Sequence, residues 1–210
     1  MADKILEFMN TSQGKAIGSA LGLPVPPKLK RAEGPHAEKF LEGAGVLVGA
    51  VAAGKASEAI IKAVSNMGGD VKVSADLSGV EGVKTSAAKA KVTVSLSQAD
   101  SGNPEQFYVL DVTGATSVAD LRLLYDFFNP RLRGIPKHGR VVVVSLPAGE
   151  AKGAEAAAAQ SAVPGFVRSL AKESGKNGTT VNLLQVKGGA ENTLEGALRF
   201  FLSPSSAFVT

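Results

Sequence analysis

The sequence predicts a doubly wound α/β fold, a parallel sheet carrying helices on both faces. Apolar strand runs alternate with helical segments along most of the chain. Val141-Val-Val-Val144 is wholly apolar and β-branched, the composition of a central parallel strand buried on both sides. Aromatic residues make up only 5% of the chain and Trp is absent, while Gly and Ala are abundant. That balance suits helices packed closely on a sheet better than a β-sandwich.

The 210 residues, 44% hydrophobic and 20% charged, suffice for one sizeable core and not for two comfortable domains. Residues 1–40 read as an N-terminal helix, around Lys4 to Met9, followed by a Pro-rich arm, because Leu21-Gly-Leu-Pro-Val-Pro-Pro27 cannot continue a helix. Residues 41–210 read as the α/β domain. The absence of Cys excludes disulfides, Cys-ligated zinc and thiol nucleophiles, and two separated histidines, His36 and His138, leave little material for a metal site. No run reaches the ~18 apolar residues of a membrane span, so a soluble, cytoplasmic protein is expected. The net charge of +4 is modest. The basic groups Lys28-Lys30-Arg31 and Arg131, Arg133, Lys137, Arg140 lack interleaved aromatics and read as solvated loops, not a nucleic-acid surface.

Along the domain, Val46-Leu-Val48 reads as a buried strand, a Gly-rich turn follows, and Ile60, Ala63, Val64 and Met67 recur at helical spacing. Gly68-Gly69 stops that helix, and Val71 to Asp76 reads as the next strand, completing a βαβ unit. Lys91 to Leu96 has strand composition, and Asp100 to Pro104 is dense in turn residues. Phe107 to Val112 is a further strand, after which Leu121, Leu124, Tyr125 and Phe128 mark one apolar helical face ending near Asn129-Pro130. Beyond the Val141 strand, an Ala-rich helix from Ala151 to Lys172-Glu173 buries Ala159, Val163, Phe166 and Leu170, with Pro164 as a potential kink. Thr180 to Val186 is the last strand, and Leu194, Ala197, Leu198 and Phe201 define the final helix.

The turn Gly49-Ala-Val-Ala-Ala-Gly54-Lys55-Ala56 nearly fits a phosphate-binding loop, whose amides cradle phosphates and whose last hydroxyl holds Mg²⁺. Position 56 is Ala, however, and Ser57 is one residue late, a rotation of ~100° around a helix. A tight turn packing helix on strand is the favoured reading. As a dinucleotide fingerprint the spacing is also wrong, although Asp76 stands where an acidic residue could accept from a ribose hydroxyl. Gly49, Gly54, Lys55 and Asp76 are therefore the candidate cofactor-binding set, read as vestigial. Ala50, Val51, Ala52 and Ala53 offer no hydroxyls for a flavin phosphate, and no G-x-S-x-G nucleophile elbow occurs.

The last third resembles the short-chain dehydrogenase/reductase superfamily. Gly139-Arg-Val-Val-Val-Val-Ser145 is similar to its fifth strand, Ala162-Val-Pro-Gly-Phe-Val-Arg-Ser-Leu-Ala-Lys-Glu173 to the helix after its YxxxK motif, Val181-Asn182 to its sixth strand, and Phe201 to Thr210 to its approach to the seventh. That chemistry uses a Tyr to pass a proton, a Lys to depress its pKa and a Ser to hold the carbonyl. Aligned on Gly165-Phe166, the Tyr position falls on Ala156, the Lys position on Gln160 and the second Ser on Leu146; Ser145 keeps the first, and Asp111-Val-Thr-Gly114 stands in place of N-N-A-G. No catalytic residue remains.

The arm Leu21 to Arg31, the strand Gly45 to Gly49, Leu124-Tyr-Asp-Phe-Phe-Asn-Pro130 and Gly139 to Val144 together resemble the N-terminal domain of high-molecular-weight 3-oxoacyl-acyl-carrier-protein reductases, with 79–106 longer than that pattern. The resemblance implies a degenerate, Rossmann/flavodoxin-like domain preceding a complete reductase domain, absent here, that uses NADH to reduce 3-oxoacyl thioesters of acyl carrier protein or coenzyme A. It implies no cofactor for this domain, docking on the C-terminal reductase domain of the same polypeptide, and support of a homodimer. The alternative is a nucleotide-binding regulatory domain using the Gly49–Lys55 turn. The match stops before a last strand, so an exposed sheet edge is expected.

Overall fold

Six strands form one sheet: β1 (Gly45–Ala50), β2 (Asp70–Ser74), β3 (Ser95–Ser97), β4 (Phe107–Asp111), β5 (Arg140–Ser145) and β6 (Thr180–Gln185). Their order is β3-β2-β1-β4-β5-β6, and every neighbouring pair is parallel. A computed structural model describes the chain except residues 1, 24, 26, 30, 31, 33, 35, 36, 53, 76 and 99–103 and the side chains of 2, 3 and 6. The expected turn at 100–104, the middle of the Pro-rich arm, His36 and Asp76 thus fall wholly or partly outside the described residues.

The helices are α1 (Ala2–Met9), α2 (Ser12–Ala20), α3 (Ser57–Asn66), α4 (Val80–Ala90), α5 (Arg122–Phe128), α6 (Ala154–Ser174) and α7 (Leu194–Leu202). Alternation along the strands divides the core. Val46, Val48 and Ala50 of β1 and Val142 and Val144 of β5 pack with Ile60, Val64, Val83 and Leu198 of α3, α4 and α7. Leu47, Tyr108, Leu110, Val141 and Val143 face Leu124, Phe127, Phe128, Val163 and Leu170 of α5 and α6. All six residues of β5 are buried, as its apolar run predicts for a strand covered on both sides. The chain winds outward from β1 to β3 and then crosses back to β4, so the direction reverses beside β1. In such sheets the crevice outside the carboxyl ends of the strands lies at that reversal.

Several local expectations needed correction. The helix α2 was not anticipated; Thr11 caps it, its Oγ1 accepting from the Gly14 amide at 3.1 Å. The segment read as a strand from Lys91 instead starts as the C-cap of α4. Lys91 takes φ 58°, ψ 36°, and its amide and that of Val92 close on Ala88 and Ala87 carbonyls, leaving β3 only Ser95–Ser97. The buried face of α5 is Leu123, Leu124, Phe127 and Phe128, while Tyr125 turns outward beneath the Arg122 guanidinium, 5.3 Å from its ring centre. The helix α6 runs unbroken through Pro164. No helix among the described residues is long and apolar enough to cross a membrane.

β3 and β6 are the sheet edges. The outer side of β6 meets the final residues: Thr210 Oγ1 accepts from the Val181 amide at 3.1 Å, and Asn182 Nδ2 donates to the Val209 carbonyl at 3.0 Å. On the α5 side of β2, polar groups take over from the apolar core. Lys72 pairs with the buried Glu105 at 3.0 Å, and the buried Arg131 donates to Ser74 Oγ at 2.6 Å and to the Phe127 carbonyl at 3.0 Å.

Candidate functional site

At the crevice, the turn from β1 to α3 meets the loops that leave β4 and β5. Asp111, the last residue of β4, is fully buried. Its Oδ2 accepts from Ser57 Oγ at 2.7 Å, and its Oδ1 accepts from the Thr113 amide at 2.9 Å and from Thr113 Oγ1 at 2.6 Å. Thr113 Oγ1 in turn accepts from the backbone amides of Lys55 (2.9 Å) and Ala56 (3.3 Å), at the start of α3. Burial pushes the Asp111 pKa up, opposed by the hydrogen bonds from Thr113, Ser57 and the Ala56 amide.

The structure brings only part of the candidate cofactor set to this place. Gly54 lies against Asp111: a Cβ there would fall 2.6 Å from Asp111 Cγ and from Ser57 Oγ. Lys55 offers its backbone amide to Thr113, and its side chain is exposed. Ser57, one residue late for a magnesium ligand, spends its hydroxyl on Asp111. Gly49 lies inside β1, beneath the Phe127 ring, where a Cβ would be 2.5 Å from Cε2. Asp76 is outside the described residues. A dinucleotide pyrophosphate needs free amides at the start of the first helix. Those of Lys55 and Ala56, just before α3 and at its N-cap, are engaged by Thr113 inside the chain.

The three positions matched to catalytic residues also converge. Gln160 is fully buried on α6; its Oε1 accepts from the Leu146 amide at 3.1 Å, and its Nε2 donates to the carbonyls of Val112 (2.9 Å) and Ala115 (3.1 Å). Ala156, one turn earlier, and Leu146, after β5, are 4% and 6% exposed, so no open cleft separates these side chains from the core. Ser145 is fully buried, and its hydroxyl has no hydrogen-bond partner among the described residues. The arrangement offers neither a proton donor facing solvent nor an accessible nucleophile.

Sequence reasoning did not foresee Asp111 and Thr113 as the centre of this cluster. Their local signal is the Asp-x-Thr spacing, in which an Asp accepts from the amide two residues on. Their partners lie 54 to 58 residues away, beyond the reach of any local pattern.

The fold is that of solved short-chain dehydrogenase/reductase structures. BdcA (YjgI) from E. coli superimposes with a TM-score of 0.56 at 20% identity, over 81% of this chain and 96% of that one. A short-chain dehydrogenase/reductase from Serratia marcescens BCRC 10948 gives 0.58 at 17%, over 81% and 94%. A protein provisionally assigned as a betaketoacyl-ACP reductase gives 0.55 at 19%, over 81% and 94%. At these identities the likeness establishes the fold alone. No protein-family model and no curated protein matches the chain.

Proposed function

We propose that this chain is a non-catalytic domain of a 3-oxoacyl-acyl-carrier-protein reductase, which docks on a complete NADH-using reductase domain of the same polypeptide and supports its dimer. The thioester substrate and NADH belong to that partner domain. One observation carries the reading: Gln160, at the position of the family's lysine, is buried and holds the loops after β4 and β5 together by three hydrogen bonds. A residue in that position that serves catalysis must face an open cleft, and this one closes it. The sequence resemblance supplies the parent reaction, and the fold is compatible with it.

The alternative, a nucleotide-binding regulatory domain at the Gly49–Lys55 turn, has less support, since the amides it needs are bonded to Thr113. Incubation with an acetoacetyl thioester and NADH tests the non-catalytic part: background turnover is expected, and turnover above it would refute the reading. Sedimentation with a separately prepared complete 3-oxoacyl-acyl-carrier-protein reductase domain tests the docking part. A stoichiometric complex is expected, and two independent boundaries would remove that role.

A further inference from the structure

We propose that Asp111 is a built-in anion that occupies the phosphate-binding end of α3, so that the chain supplies from its own β4 the negative charge that this fold elsewhere receives from a ligand. The inference concerns the chain alone and holds whether or not it docks on a reductase domain.

Three independent features of the geometry support it. The first is the relay from helix to carboxylate. A threonine hydroxyl has one hydrogen and two lone pairs. Thr113 Oγ1 gives its hydrogen to Asp111 and takes the Lys55 and Ala56 amides on its oxygen, so its capacity is fully used. The N-cap amide of α3 and the amide before it are thus connected to a carboxylate through one hydroxyl, a connection a bound phosphate oxygen would make directly.

The second is charge. Asp111 is fully buried and takes part in no ion pair among the described residues. Ser57, the first residue of α3, donates its hydroxyl to the carboxylate, and with the Thr113 bonds it offsets part of the cost of burying that group.

The third is Gly54. In a phosphate loop a glycine lets the backbone approach the anion, and here the same bare Cα lets the backbone approach Asp111, since any Cβ would collide with the carboxylate and with Ser57 Oγ. The features that look like a decayed nucleotide site in the sequence are therefore used in full, with the ligand's place taken by a side chain.

The test is chemical rescue. Asp111→Ala removes the carboxylate and leaves a pocket the size of formate, lined by Ser57 Oγ, the Thr113 amide and Thr113 Oγ1. Its melting temperature should rise with sodium formate relative to sodium chloride at equal ionic strength, while that of the unaltered chain should not. At formate ten times its dissociation constant the folded-to-unfolded ratio rises about elevenfold. Equal melting curves in the two salts for a folded Asp111→Ala would overturn the proposal.

A second measurement needs no variant. In the unaltered chain, inorganic phosphate and NADH should leave the amide resonances of Lys55 and Ala56 in place, and saturable movement of those two would overturn it. The second result decides the matter if Asp111→Ala does not fold.

Discussion

Replacing Gln160 with Leu removes every polar atom of a fully buried side chain while keeping nearly its volume, so the consequence can be worked from its three hydrogen bonds. The Val112 carbonyl keeps a second donor, the Ala115 amide. The Leu146 amide and the Ala115 carbonyl have no other hydrogen-bond partner among the described residues. Each buried group left unpaired costs about 1–3 kcal/mol, offset in part by the greater hydrophobicity of Leu. The net loss should be about 3 kcal/mol. For a chain of this size each kcal/mol moves the melting temperature by about 2–4 °C, so a fall of roughly 6–12 °C is expected. Urea unfolding followed by circular dichroism, with the slope unchanged, is the assay. A loss below about 1 kcal/mol would refute the assignment of Gln160 as the clamp between the two loops, because no relaxation short of opening them supplies new partners.

Three further outcomes follow from the same reasoning. Burial outweighs the hydrogen bonds at Asp111, so its folded pKa lies above its unfolded value; the carboxylate that acts as the anion beside α3 is the form present above that folded pKa, and the stability contributed by the bound proton is lost as pH rises from about 4 through it. The stability of the unaltered chain relative to Asp111→Asn should therefore fall over that window, and a pH-independent difference in urea midpoints would contradict it. Gly49→Ala sets a methyl 2.5 Å from Phe127 Cε2 and 3.1 Å from Leu110 Cδ1, which should cost about 1–3 kcal/mol, with partial recovery on adding Phe127→Leu; additive effects in the double variant would rule out the direct clash. Arg131→Met removes the bonds to Ser74 Oγ and the Phe127 carbonyl and should cost about 2 kcal/mol, more than Ser74→Ala; the reverse order in thermal melting would place the anchoring elsewhere.

The inner strands were legible because they are buried on both faces and so appear as largely apolar runs: Val46–Val48, Phe107–Val112 and Val141–Val144 all lie on or within about a residue of an observed strand. The helices that escaped notice have little apolar pattern. The helix α2 buries only Gly14 and Gly18, and α4 only Val83 and Ala87, so neither presents the recurring large side chains that betray an amphipathic face. At the site, the replacements Leu146, Ala156 and Gln160 could be read from motif alignment, but not what they do. The bonds of Gln160 reach 45 and 48 residues back along the chain, and those of Thr113 reach 57 and 58, so only the folded arrangement reveals them.

The hydroxyl of Thr113, bonded at once to the start of α3 and to the end of β4, also bears on how the domain moves. Enzymes gate substrates by local opening, and the loops that do so are drawn from the least stable parts of their structures. Here the corresponding loops are tied from beneath, so the amides of Lys55, Ala56 and Leu146 should exchange with solvent deuterium only when the sheet itself comes apart. Slow exchange at those three amides is the expected signature of that tie, and exchange as fast as in the exposed loops would show that it opens independently of the sheet.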